Sequence, residues 1–174
     1  MDPDRREELE RKRLALQRER RRQEACAMVA EATAVLATAG MPFELLHPGK
    51  DDAPYWQWLQ RTFPWTTWGR IDWPLVPGSL CRAWNSLSDL CAAFETLCAL
   101  ATLHNPRVFV GWSNAAAPGL LLDLVAARLA AAELFTVSWD TWLLCPSEGW
   151  TIEVFHEGEI CFGHIETKNT RPLP

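Results

Sequence analysis

Residues 135–165 read FTVSWDTWLLCPSEGWTIEVFHEGEICFGHI, and this stretch decides the fold class. Three apolar runs lie in it, at 137–145, 150–156 and 160–165. Pro146-Ser147-Glu148-Gly149 separates the first two, and Glu157-Gly158 sits between the last two. Runs rich in Val, Ile, Trp, Phe and Thr, bounded by Gly and Pro signals, are strands joined by tight turns. The expectation is an antiparallel meander. Its last hairpin has two possible registers. A two-residue loop sets Ile152 and Val154 opposite Gly163 and Cys161, whereas a loop one residue longer sets them opposite Phe162 and Ile160. Both bury apolar groups, so the pattern does not choose.

Upstream, Arg107–Trp112 (RVFVGW) reads as a buried strand. Pro118 should open a Leu/Ala-rich buried helix, GLLLDLVAARLAAAEL. A strand–helix–strand unit over 108–139 is long enough for a crossover, right-handed if its strands are parallel. Before it, Ser86 with Asp89 three residues on resembles a capping box, and apolar residues at helical spacing carry a helix to about Leu103. Residues 75–79 form a Pro/Gly loop. Five of the ten Trp fall in 55–73, YWQWLQRTFPWTTWGRIDW. That segment is either an aromatic sub-core over one side of a sheet or a platform for a sugar or peptide; packing is the more common use of large aromatics. Residues 41–46 suggest a short strand.

Residues 1–38 look like one long helix, with Asp2 as cap, Pro3 at the first helical position and Gly40 as stop. The first two-thirds is charged and should project or fray. From Ala25 the pattern turns apolar, with Met28, Val29, Ala32, Val35 and Leu36, and should dock on the body. The expected organisation is a charged N-terminal helix over 1–38, a single α+β domain over 39–166 and a flexible tail over 167–174. The expected fold is α+β: a mixed sheet of about four to five strands ending in an antiparallel meander, with helices packed on it.

Composition narrows function. The net charge is −5. Residues 1–24 carry nine Arg/Lys against seven Asp/Glu, leaving eight against fifteen for the other 150 residues. From 129 to 167 there are seven acids (Glu133, Asp140, Glu148, Glu153, Glu157, Glu159, Glu166) and no Lys or Arg. So acidic a body argues against nucleic acid and favours a basic protein partner. No apolar run approaches the ~20 residues of a membrane span. The six Cys include no CxxC and follow no signal peptide, so free thiols in a reducing cytoplasm are expected.

Cys161 and His164 have ligand-like spacing, but strand positions three apart face opposite sides, so no metal site is expected. No Cys has a local nucleophile signature. Carboxylate catalysis could use Asp140 and Glu153, or Asp72 with either, if a cleft joined them. The turn WSNAAAPG lacks phosphate-loop glycines. No cofactor is expected. A binding surface fits better: Asp140, Glu148, Glu153, Glu157 and Glu159 would supply charge, and Trp142 and Trp150 would be anchors. The plain alternative is that these acids are merely solvated.

W-D-T-W-L (139–143), a Pro/Gly turn and G-W-T-I-E-V-F-H-E-G-E-I (149–160) resemble the C-terminal region of small bacterial immunity proteins. These are cytoplasmic antitoxins encoded beside polymorphic toxins of contact-dependent and type VI secretion systems. The resemblance implies a non-catalytic protein that binds a cognate toxin domain, not nucleic acid or membrane. The long charged helix is not a feature of that group. The competing expectation is a small cytoplasmic hydrolase using acids or Cys in a Trp-lined cleft.

Overall fold

The computed structural model describes residues 3–165. A charged helix α1 (Pro3–Met28) and a short apolar helix α2 (Ala30–Thr38) are broken at Val29, so the expected single helix is two. Lys12–Glu8 and Arg20–Glu24 pair one turn apart on α1, whose Leu9, Leu14 and Leu16 are exposed. Val29, Ala32 and Leu36 are buried while Met28 is exposed, so docking begins at Val29, after the pattern has already turned apolar at Ala25. The cap expected of Asp2, the acid Glu166 and the tail over 167–174 lie outside the described residues.

The rest of the chain builds β1 (Phe43–Leu46), α3 (Ala53–Thr62), β2 (Leu80–Ala83), α4 (Leu87–Leu100), β3 (Arg107–Trp112), β4 (Gly119–Asp123), α5 (Leu124–Leu129), α6 (Ala131–Phe135), β5 (Thr141–Cys145), β6 (Trp150–Phe155) and β7 (Glu159–His164). The seven strands form one sheet in the order β1-β4-β3-β5-β6-β7-β2. Every neighbouring pair is antiparallel. The sheet is therefore larger than four to five strands, and it is not mixed.

Two expectations fail together. GLLLD is strand β4, not helix, and it folds back on β3 as a hairpin; β3 and β5 are antiparallel neighbours, and the crossover runs instead from β4 past β3 to β5 by way of α5 and α6. A short apolar run without charges satisfies either period, and cross-strand partners decided it. The edge strand β2 was also missed, because its four residues follow a Pro/Gly loop and show no alternation. Ser86 does cap α4, its Oγ accepting from the Asp89 amide at 3.1 Å. In the last hairpin Ile152 faces Phe162 and Val154 faces Ile160, the longer-loop register. Gly158, at φ +92°, takes the left-handed position that a three-residue loop requires.

This register sorts the sheet into two faces. Ile152, Val154, Ile160 and Phe162 join Val108, Val110, Leu120, Leu122 and Leu143 under α2, α4, α5 and α6. Phe109, Trp142, Leu144 and Cys161 face the other way, under α3 and the Trp-rich segment after it. On that second face three strand glycines make room for rings. A Cβ at Gly111 or Gly119 would overlap Phe109, and one at Gly163 would overlap Trp73. Five of the Trp therefore lie at or near this layer, the sub-core reading of 55–73, while Trp68 stands 90% exposed on a turn.

Cys81 and Cys161 are directly opposed across β2 and β7 and form a disulfide. This corrects the expectation of six free thiols. The pairing was hidden because β2 itself was not recognised. Cys26, Cys91, Cys98 and Cys145 are free.

Candidate functional site

Glu153 sits at the centre of the Trp-covered face with 1% of its surface exposed. Its inward direction follows from strand alternation between Ile152 and Val154, which face the helices. It accepts from the Ile71 amide at 3.1 Å, the Trp73 indole at 2.6 Å and the Trp142 indole at 3.0 Å. The Arg70 guanidinium is 3.5 Å from the same carboxylate. Burial pushes the Glu153 carboxyl above its usual range, while the three donors and Arg70 pull it down. The carboxylate thus clamps the segment 70–73 to the sheet.

Arg70 also bonds Glu159 at 2.6 Å and lies 4.2 Å over the Phe155 ring. Phe155 and His156 follow each other in the hairpin with ring centroids 4.5 Å apart. Trp139 meets the His156 ring edge-on at 5.4 Å and is 76% exposed. Asp140 accepts from the His156 amide at 3.0 Å and meets its Nδ1 at 2.7 Å. A strip of rings, Trp139–His156–Phe155, therefore runs along one end of the sheet to Arg70 and the turn that carries Trp68. Glu157 is exposed at its centre.

The seven acids and indoles singled out in the sequence divide among three places. Asp140, Glu157 and Glu159 gather at this strip. Glu148 lies in the turn at the opposite end of β6, about 20 Å away along the strand, where it accepts from the Trp150 indole at 2.8 Å. Trp142, Trp150 and Glu153 are inside the protein, exposed by 6%, 2% and 1%. The meander does not present one uncompensated acidic patch: Arg70 engages Glu153 and Glu159, and His156 engages Asp140. The sequence pattern does not single out the exposed indoles Trp139 and Trp68 or the cation Arg70 as site residues. Trp68 had a usable signal, since an indole beside Gly69 in a Thr-Thr-Trp-Gly turn is poorly placed for a core.

The residues proposed for hydrolysis are not brought to one cleft. A cavity of about 530 Å³ is lined by Asp72, Arg70, Ser79, Cys81 and Glu159 among others, but neither Asp140 nor Glu153 lines it. Burial pushes the Cys98 thiol up to about 12 and raises Cys91 and Cys145, so these thiols are poor nucleophiles. Among the described residues no helix is long and apolar enough to cross a membrane.

The family model described as "CdiI immunity protein EcoliA0-like" matches residues 44–163. The match spans β1 to β7, covering both faces of the sheet, and leaves out α1 and α2. No curated protein matches the chain.

Proposed function

The chain belongs to the CdiI immunity protein family, and from that premise we propose that it neutralises a cognate bacterial toxin domain by binding it, without catalysis. The contact surface is the ring strip at the hairpin end of the sheet. Trp139 is the central anchor, Trp68 a second one, and Asp140, Glu157 and Glu159 supply charge for a basic toxin surface. Trp142 and Glu153 support this surface from beneath rather than touching the partner, while Trp150 is buried on the helix-covered face beside Glu148. Glu148, at the far end of β6, lies outside the contact.

One observation carries this reading. Trp139 leaves 76% of a large indole in solvent, directly beside Asp140 and edge-on to His156. A Trp spends that much apolar surface where a partner covers it, and interface hot spots are enriched in Trp and Arg. Acids around such an anchor speed encounter with a basic partner.

The test is affinity for the toxin domain encoded beside the protein. Trp139→Ala should weaken binding by about 30-fold or more, the worth of a hot-spot side chain. Glu157→Lys should slow association and flatten its salt dependence. If both variants bind as the parent does, with the same salt dependence, this end of the sheet is not the contact.

A further inference from the structure

Three groups that can ligate a zinc-class cation, two cysteine sulfurs and a carboxylate, converge at the β2–β7 edge. Cys81 and Cys161 are cross-strand partners, and Glu159 stands two residues before Cys161, so all three leave the sheet on the Trp-covered side. Their ligating atoms lie within 4.8 Å of one another. The strand rule that separates Cys161 from His164 is the same rule that joins it to Glu159. Cys81 and Glu159 also line the cavity of about 530 Å³, together with Asp72. The Asp72 carboxylate makes no hydrogen bond or ion pair among the described residues.

We propose that, once the disulfide is reduced, Cys81, Cys161 and Glu159 form a binding site for a thiophilic divalent cation of the zinc class, its fourth position open to the cavity. A dithiol reductant supplies two electrons: the Cys81–Cys161 bond breaks, two protein thiols form, and the reductant closes its own disulfide. The cation then binds two thiolates and one carboxylate oxygen, and two thiol protons leave to solvent. Ligand atoms in such a site stand about 3.5 Å apart, within the reach of this cluster. The cavity gives the cation a path, and Asp72 is the carboxylate placed to attract it. Arg70 opposes the binding, because its guanidinium holds Glu159 at 2.6 Å. It must release that oxygen, while keeping Glu153 and the Phe155 ring. The site is thus closed in two ways, by the S–S bond and by Arg70; it shares Glu159 with the proposed toxin contact, but its test needs no toxin.

The full chain is reduced with a dithiol, freed of it without air, and titrated with Co²⁺, with far-UV circular dichroism recorded beside it. The expected result is a thiolate-to-cobalt charge-transfer band that saturates at one ion per chain and is discharged by Zn²⁺. The oxidised chain should give none. Cys81→Ser and Cys161→Ser should each abolish the band, and Glu159→Gln should weaken binding about tenfold or more. Arg70→Gln should tighten it. The proposal is overturned if the reduced chain gives no band or loses its fold. It is overturned equally if the band survives Cys81→Ser or appears in the oxidised chain, since Cys26 or Cys91 would then be its source.

Discussion

On one side of the sheet Leu143, Ile152, Val154 and Ile160 meet Leu90, Phe94 and Leu97 of α4, and the contact is shape against shape. On the other side Trp73, Trp142 and the Ile71 amide all point donors at Glu153. The first face excludes water mainly by volume, its Trp112 and Trp150 indoles donating at its margins to Leu134 and Glu148. The second closes around one carboxylate whose acceptor capacity must be matched donor by donor. The Trp-covered face should therefore lose far more stability to a volume-conserving change that removes its acceptor than the helix-covered face loses to a volume-conserving change that stays apolar.

The largest effect is expected from Glu153→Leu. It fits the space but leaves two indole N–H groups and one backbone N–H buried without acceptors, at about 1–3 kcal/mol each, so a loss of about 3 kcal/mol or more. Leu143→Met, an equally volume-conserving change on the helix-covered face, should cost less than about 1.5 kcal/mol. Urea unfolding of both variants reads the contrast. Similar small losses would mean that the clamp holds nothing in place.

A second effect confined to the Trp-covered side comes from the Cys81–Cys161 bond. It closes a long loop, its ends 80 positions apart in sequence, and anchors the edge strand that follows the Trp segment. Replacing both cysteines by Ser should lower stability by about 2–4 kcal/mol. Limited proteolysis should then cut first within 63–79, the segment whose anchor is gone, and not in α4. Cleavage beginning in α4 would show that the two faces unfold as one unit.

The asymmetry also explains what the sequence disclosed. The helix-covered face was readable: Leu90, Phe94, Leu97 and Cys98 recur at helical spacing, and the meander strands alternate around Ile152 and Val154. The hairpin register became decidable only once Ile160 and Phe162 could be seen meeting the same helices as Ile152. The other face was mostly hidden. Glu153 looks like a solvated acid in a list of residues, since nothing local says that Trp73, 80 positions away, donates to it. Trp142 and Trp150 looked like anchors for the same reason: a sheet covered on both sides has no solvent face for alternation to point at. Trp139 lies just before β5, outside that double cover, and is exposed because of it. β4 is hard to read because the run Leu120–Leu122 is too short and too uniformly apolar to tell a helix from a buried strand.

The subtlest difference between the faces is in their response to pH. Burial is the largest influence on Glu153 and raises its pKa despite the three donors and Arg70. Above the ordinary carboxylate pKa the folded chain therefore holds this proton more tightly than the unfolded chain. The unfolded state then binds fewer protons, and stability attributable to Glu153 falls as pH rises from about 4.5 through the raised pKa. The helix-covered face has no counterpart in this range, because its Cys98 thiol is pushed up to about 12. Glu153→Gln keeps the shape and one acceptor oxygen but carries no proton equilibrium. The difference in unfolding free energy between parent and variant, measured from pH about 4.5 to neutrality, should change with pH in the parent's disfavour as pH rises. Subtraction cancels the contributions common to both proteins. Parallel curves would mean that Glu153 stays charged throughout, so that its donors outweigh its burial and the clamp is stronger than burial makes it.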